Sequence, residues 1–163
     1  MISPNARLIE QAKIVSGFGP AGASTSTSDF VSMKGYARCC VIISTLNGST
    51  VTGSAITLNQ AQDVGNTNGK ALGFSYQYAN VDTAASDALT ETAVTSNTFT
   101  TNTTNSKSLL NIIEVKAEDL DMANGFDCFA VKLATSANTT YTVTFILYPA
   151  KYGGSTPLTA ITD

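Results

Sequence analysis

A chain of 163 residues with 43% hydrophobic content can build one domain-sized core and is short for two. Only 13% of its residues are charged, the net charge is −3 and there is no histidine. That balance leaves no basic footprint for nucleic acid, and it excludes nucleophile systems that need a histidine base.

The opening MISPNARLIEQAK has no charged start followed by an apolar run, so no secretion signal is expected. No apolar window approaches the ~20 residues that cross a bilayer, so no membrane partner is expected either. Residues 5–15 place Leu8, Ile9, Ala12 and Val15 at helical spacing, with Arg7, Glu10, Gln11 and Lys13 opposite. Gly17, Gly19, Pro20 and Gly22 stop that helix, and residues 23–28 read as a small-residue linker. Residues 1–28 are therefore expected to be an extended or short-helical arm. Either it folds its apolar face back on the domain or, the preferred expectation, it docks Leu8, Ile9, Ile14 and Phe18 on a neighbour, while residues 29–163 form the domain.

From Asp29 the signals are strands and turns. Residues 29–33 predict a short strand, and Lys34-Gly35 turns the chain into YARCCVIISTL at residues 36–46. Seven of those eleven positions are apolar, which predicts a central strand buried on both faces. Asn47-Gly48 closes it with a hairpin-turn signal. Residues 54–62 alternate as a strand, and 63–69 read as a loop. Residues 70–79 put Leu72, Phe74, Tyr76 and Tyr78 on one face of a single half-buried strand.

A polar loop over 80–87 and a Thr-dominated stretch over 89–105 follow, the latter suited to edge strands. Residues 108–115 predict a buried strand, 117–122 a helical turn closed by Asn124-Gly125, and 128–134 and 140–148 two more strands. Pro149 is expected to end the last of these, with the tail 151–163 running over the surface. About eight short strands and no long helix predict an all-β domain: a single antiparallel β-sandwich, jelly-roll-like.

Cys39, Cys40 and Cys128 are odd in number, and adjacent Cys39 and Cys40 point to opposite faces of a strand. Three reduced, buried thiols made in a cytoplasm are expected, and no cysteine-rich zinc cluster is available. The carboxylates Glu114, Glu118, Asp119 and Asp121 read as the surroundings of an acidic first helical turn, and Asp82 and Asp87 share a loop. A glycosidase cleft with aromatic platforms is not indicated, because Trp is absent. Asp63–Gly69 lacks the calcium-loop pattern, and residues 17–22 lack the strand–helix setting of a phosphate loop. The Asn-x-Ser/Thr triplets at Asn47, Asn102 and Asn138 read as chance without a secretion signal. No catalytic residue, metal or cofactor is expected, and the chain is read as not an enzyme.

Four stretches carry a resemblance: residues 31–62 (VSMKGYARCCVIISTLNGSTVTGSAITLNQAQ), 80–100 (NVDTAASDALTETAVTSNTFT), 113–131 (IEVKAEDLDMANGFDCFAV) and 152–163 (YGGSTPLTAITD). In them the chain resembles small virion proteins encoded among tailed-phage head genes, usually capsid decoration (cement) or minor structural proteins. The resemblance implies a β-sandwich made in the host bacterial cytoplasm and bound to the outer surface of the capsid. It implies the major capsid protein as partner, and self-association, often as trimers. Residues 1–28 lie outside the resembling part. The alternative is a receptor- or glycan-binding module of a tail or fibre using Tyr76, Tyr78, Tyr148 and Tyr152, though their alternation along strands favours core packing. A tail-tube or head–tail connector component is the third reading.

Overall fold

The computed structural model describes residues 7–22, 24, 26–150 and 160–161. Its elements are helix α1 (Leu8–Gln11) and strands β1 (Lys13–Ala21), β2 (Ser26–Thr27), β3 (Val31–Ser32), β4 (Tyr36–Asn47), β5 (Ala55–Ala61) and β6 (Lys70–Ala71). Then come β7 (Tyr76–Asn80), β8 (Thr90–Ala93), β9 (Thr98–Thr100), β10 (Ser108–Lys116), β11 (Cys128–Leu133) and β12 (Thr139–Ala150). Two 3₁₀ turns, Ala117–Asp119 and Met122–Asn124, join β10 to β11, and Gly125 closes the second at φ +80°.

One sheet runs β1-β12-β4-β10-β7-β8, and the other β2-β11-β5-β6, with β3 also on β11 and β9 also on β5. Every pairing is antiparallel. Taking β2 with β3 as one interrupted strand, and β6 with β9 as the position beyond β5, gives eight positions along the chain. The first sheet then begins 1-8-3-6 and the second reads 2-7-4-5, the interleaved double Greek key of a jelly roll. β7 and β8 are an addition that widens the first sheet.

The core lies between the sheets. β4 turns Cys39, Val41 and Ile43 inward, β10 Ile113 and Val115, β12 Tyr141, Val143, Phe145 and Leu147; β5 and β11 answer with Ile56, Leu58, Phe129, Val131 and Leu133, all buried. Phe129 and Phe145 meet edge-on across the layers at 5.6 Å and 89°. Each fully buried side chain of this size contributes about 1.5–3 kcal/mol of burial.

The N-terminal expectation is corrected. The helix is one turn, with Glu10 Oε2 accepting from the Arg7 N–H at 3.0 Å, and Lys13–Ala21 is a strand of the sandwich. β4 pairs with β12 along its whole length on one side and leaves β12 a second, open edge, and β1 fills it from Lys13 opposite Leu147 to Ala21 opposite Tyr141. Val15 and Gly17 face inward, so a two-residue period won over the helical one. Ser28 then ties the crossing to the second sheet: its N–H donates to Val131 O at 2.8 Å and its Oγ accepts from Val131 N–H at 3.0 Å. The sandwich thus takes in more than half of the segment assigned above to an arm.

Other differences have local causes. β4 is buried on one face only, since Leu46 is 57% exposed and Ser44 is exposed. Asn47-Gly48 is no hairpin but the start of the crossing to β5. Asn47 is buried and donates through Nδ2 to Asn102 O (3.0 Å) and Thr104 O (2.9 Å), while a Cβ on Gly48 would sit 2.9 Å from Asn138 O. Residues 70–79 form two strands on different sheets, the chain changing layers through Leu72–Ser75 with Leu72 buried. β12 continues through Pro149 to Ala150, because β1 no longer flanks it beyond Leu147. The tail expectation falls outside the described residues, apart from Ala160, which is fully buried and accepts from Ser32 N–H at 2.7 Å, and Ile161, which is exposed.

Candidate interaction surface

The outer face of the first sheet is built by the residues that alternate with the core. Register sets its rows. Ile14 lies beside Ile146, then Cys40, then Glu114. The next row is Ser16, Thr144, Ile42, Ile112, Tyr78 and Glu91. The next is Thr142, Ser44, Leu110 and Asn80, and the last Thr140, Leu46 and Ser108. Aliphatic and threonine side chains therefore form a continuous neutral band over β1, β12, β4 and β10. Ile14 is 46% exposed and Asn80 is buried; the others stand half-buried beside their neighbours except for the exposed Leu46, Ser16, Ser44, Ser108, Glu114 and Glu91. A shallow depression of about 420 Å³ lies in this face between Pro20, Leu46, Leu110, Thr140 and Thr142.

Charge is gathered at one end of the face and neutralised there. Arg38 pairs with Glu114 at 3.4 Å, and Tyr148 OH donates to Glu114 Oε1 at 2.7 Å. Burial first, and then that carboxylate, push the Tyr148 phenol up to about 12. Cys40 stands half-buried among these groups, its thiol raised by burial and then by Glu114. Cys39 and Cys128 are buried in the core, and none of the three cysteines is in a disulfide.

Of the four residues expected to meet a partner, three are exposed: Leu8 at 48%, Ile9 at 63% and Ile14 at 46%. Phe18 instead packs partly buried against the core, because β1 lies on the sandwich and carries it inward. The tyrosines depart from the core packing expected of them. Tyr76 is 52% exposed, and with Tyr78, Phe74, Glu114 and Lys116 it lines a cleft of about 250 Å³. The buried tyrosines are Tyr36 and Tyr141. Tyr152 lies outside the described residues. The band itself was missed at the sequence level, although the signal was there: apolar residues at both parities of β4 and β10.

The acidic residues are separated into local pairs. Asp119 Oδ2 accepts from Lys116 N–H at 2.8 Å, Glu118 lies 3.3 Å from Lys116, and Asp121 pairs with Lys70 and takes both hydrogen bonds of Asn124 Nδ2 at 2.9 Å. Lys70, then Asn124, hold the Asp121 carboxyl below its ordinary range. Asp63 caps its own loop by accepting from Thr67 N–H (2.9 Å) and Thr67 Oγ1 (2.6 Å), with Asn66 and Asn68 at positive φ. Among the described residues, no three His, Cys, Asp or Glu side chains gather as metal ligands, and no helix is long and apolar enough to cross a membrane.

The fold and this surface define an all-β jelly-roll domain. Comparison with protein-family models gives no match, and comparison with curated proteins gives none. Among solved structures the chain is similar to the crystal structure of the SPBc2 prophage-derived protein YomS, at 10% identity over 83% of this chain and 92% of that one, with a TM-score of 0.45.

Proposed function

We propose that this chain is a non-enzymatic structural protein of a phage particle, a decoration protein that binds the outer surface of the head and stabilises it. The observation that carries the reading is the neutral aliphatic–threonine band over β1, β12, β4 and β10, continued by exposed Leu8 and Ile9. A lone soluble domain seldom leaves so continuous an apolar band uncovered; such patches mark interaction sites. Four strands about 4.8 Å apart and nine residues long give a face of roughly 19 by 30 Å. That is short of the ~800 Å² per partner of a standard stable interface. One such contact is weak, and many copies repeated over a lattice supply the missing affinity through multivalency. Self-association into trimers would join the copies, with the major capsid protein as the shared partner, and the low charge keeps neighbours from repelling.

Cryo-electron microscopy of the purified particle tests this. Density for the chain on the outer face of the head, with the band turned to the shell or to a sister copy, is the expected result. Density at the tail would overturn it in favour of a receptor-binding or connector role.

A further inference from the structure

The first sheet is wider than the sheet that covers it. Where β7 and β8 project past β10, their inner face meets Thr100 and Asn102 across a cavity of about 480 Å³. Register lays out the floor: Asn111, Ala79 and Thr90 in one row, Gln77 and Thr92 in the next. The loop over residues 81–88 forms the rim and is held in place. Asn80 Nδ2 donates to Ser86 O at 2.6 Å, Thr83 N–H to Ser108 O at 2.9 Å, and Asp82 pairs with Lys107.

Two amides on this floor are out of place in a core. Asn111 is 3% exposed and Gln77 is 9% exposed, yet Asn111 Nδ2 and Gln77 Oε1 have no hydrogen-bond partner among the described residues. Both residues line the cavity. The other inward positions of β10, Leu109, Ile113 and Val115, are apolar, and an apolar side chain at 111 would serve folding better than an unpaired amide. One free group is a donor and the other an acceptor, the pair that a hydroxyl satisfies from either side.

We propose that this cavity binds a small neutral polyhydroxylated molecule, a saccharide or polyol, whose hydroxyls accept from Asn111 Nδ2 and donate to Gln77 Oε1. The size lies within the range of small-molecule sites. Thr90, Thr92 and Thr100 add further hydroxyls around the wall. The one carboxylate on the lining, Asp82, has its charge offset by Lys107 at Oδ2, while its buried Oδ1 has no hydrogen-bond partner among the described residues and is a further acceptor for a hydroxyl. No Lys or Arg lines the cavity, so an anion is not matched. No aromatic ring lines it, so a planar heterocycle has nothing to stack on. The site is on the opposite face of the sheet from the proposed interaction band and does not depend on it.

The test uses the full chain and four probes: D-glucose, N-acetyl-D-glucosamine, myo-inositol and glycerol. Backbone amide shifts are followed by NMR during titration. At least one probe is expected to give saturable shifts confined to Gln77, Asn111 and β8, with half-saturation near ~1 mM. Asn111→Leu should weaken that binding at least ~10-fold while raising the melting temperature, because the unpaired amide is gone. If that variant fails to fold, Thr92→Val, altered at an exposed position, carries the comparison and should weaken binding by a smaller factor. Saturable binding by none of the four probes, which leaves water as the occupant, overturns the proposal. So does binding that persists unchanged in the variants.

Discussion

Ile14 on β1 lies directly across from Ile146 on β12, and both side chains stand on the outer face of the sheet. A cross-strand aliphatic pair gives the sheet only about 0.2–1 kcal/mol. Its position at the edge of a neutral band gives it a larger part in contact with a partner. Ile14→Asp, and separately Leu46→Asp, are expected to change unfolding free energy by less than about 1 kcal/mol and to strip the chain from particles. Thermal melts and the protein's copy number on purified particles measure the two effects. Undiminished occupancy in both variants would remove the band from the interface.

Cys40 reports on the same face without any substitution. It is the half-buried thiol beside Ile146 and Glu114, whereas Cys39 and Cys128 lie in the core. Burial and Glu114 raise its thiol, so alkylation of the free protein should be slow near neutral pH and speed up in alkali. Cys40 should react well before Cys39, which burial pushes further up. On assembled particles Cys40 should become protected, as read by mass spectrometry of the labelled peptide.

Gly17 is where β1 comes closest to the core. A Cβ there would lie 2.7 Å from Phe145 Cε2, 3.0 Å from Val143 Cγ1 and 3.1 Å from Ser28 Cβ. Phe145 is fully buried and has little room to move. Gly17→Ala is expected to cost about 1–3 kcal/mol by overpacking. Hydrogen exchange should show the loss first in β1; protection equal to wild type would contradict the close approach.

The Tyr148–Glu114 contact predicts a limit in alkali. The folded phenol, at about 12, exceeds the ordinary value near 10, so the folded state holds this proton more tightly than the unfolded chain does. Its stabilising effect is whole below pH ~10 and is lost as pH rises towards about 12. Glu114→Gln should lower the Tyr148 titration without returning it to the ordinary value, since burial is the larger cause. Phenolate absorbance during a pH titration of both proteins measures this.

Asn47 ties the start of the crossing to a segment far along the chain through two hydrogen bonds, to Asn102 O and Thr104 O. Asn47→Ala leaves two carbonyls without that donor and is expected to cost about 1–3 kcal/mol. Faster hydrogen exchange should be confined to the 101–106 segment and the residues after β4. Urea unfolding gives the magnitude.

Much of the architecture could be read from alternation alone. In β12, Tyr141, Val143, Phe145 and Leu147 recur every second residue and all four face the core. Class and jelly-roll type follow from such segments with their Gly and Asn punctuation, but about eight strands are expected from them and twelve form among the described residues. β1 could not be read this way: Leu8, Ile9, Ala12 and Val15 fit a helix, and only the open edge of β12 decides for a strand. Residues 70–79 keep a perfect two-residue period across a change of sheet, which the period itself cannot reveal. The outer band hid behind the assumption that an apolar strand is buried on both faces. Asn111 was visible as one amide among Leu109, Leu110, Ile112 and Ile113, but its inward direction needed the register.

The pairing of β1 with β12 has a consequence for how the protein is made. Residues of β1 pair with β12, a strand made only after every other strand described here, and β12 itself lies between β1 and β4. Until it arrives, both of its neighbours carry open edges, and no local hairpin substitutes for it. The sheet therefore closes only once β12 has been made, by slow long-range pairing, with self-association in competition during that interval.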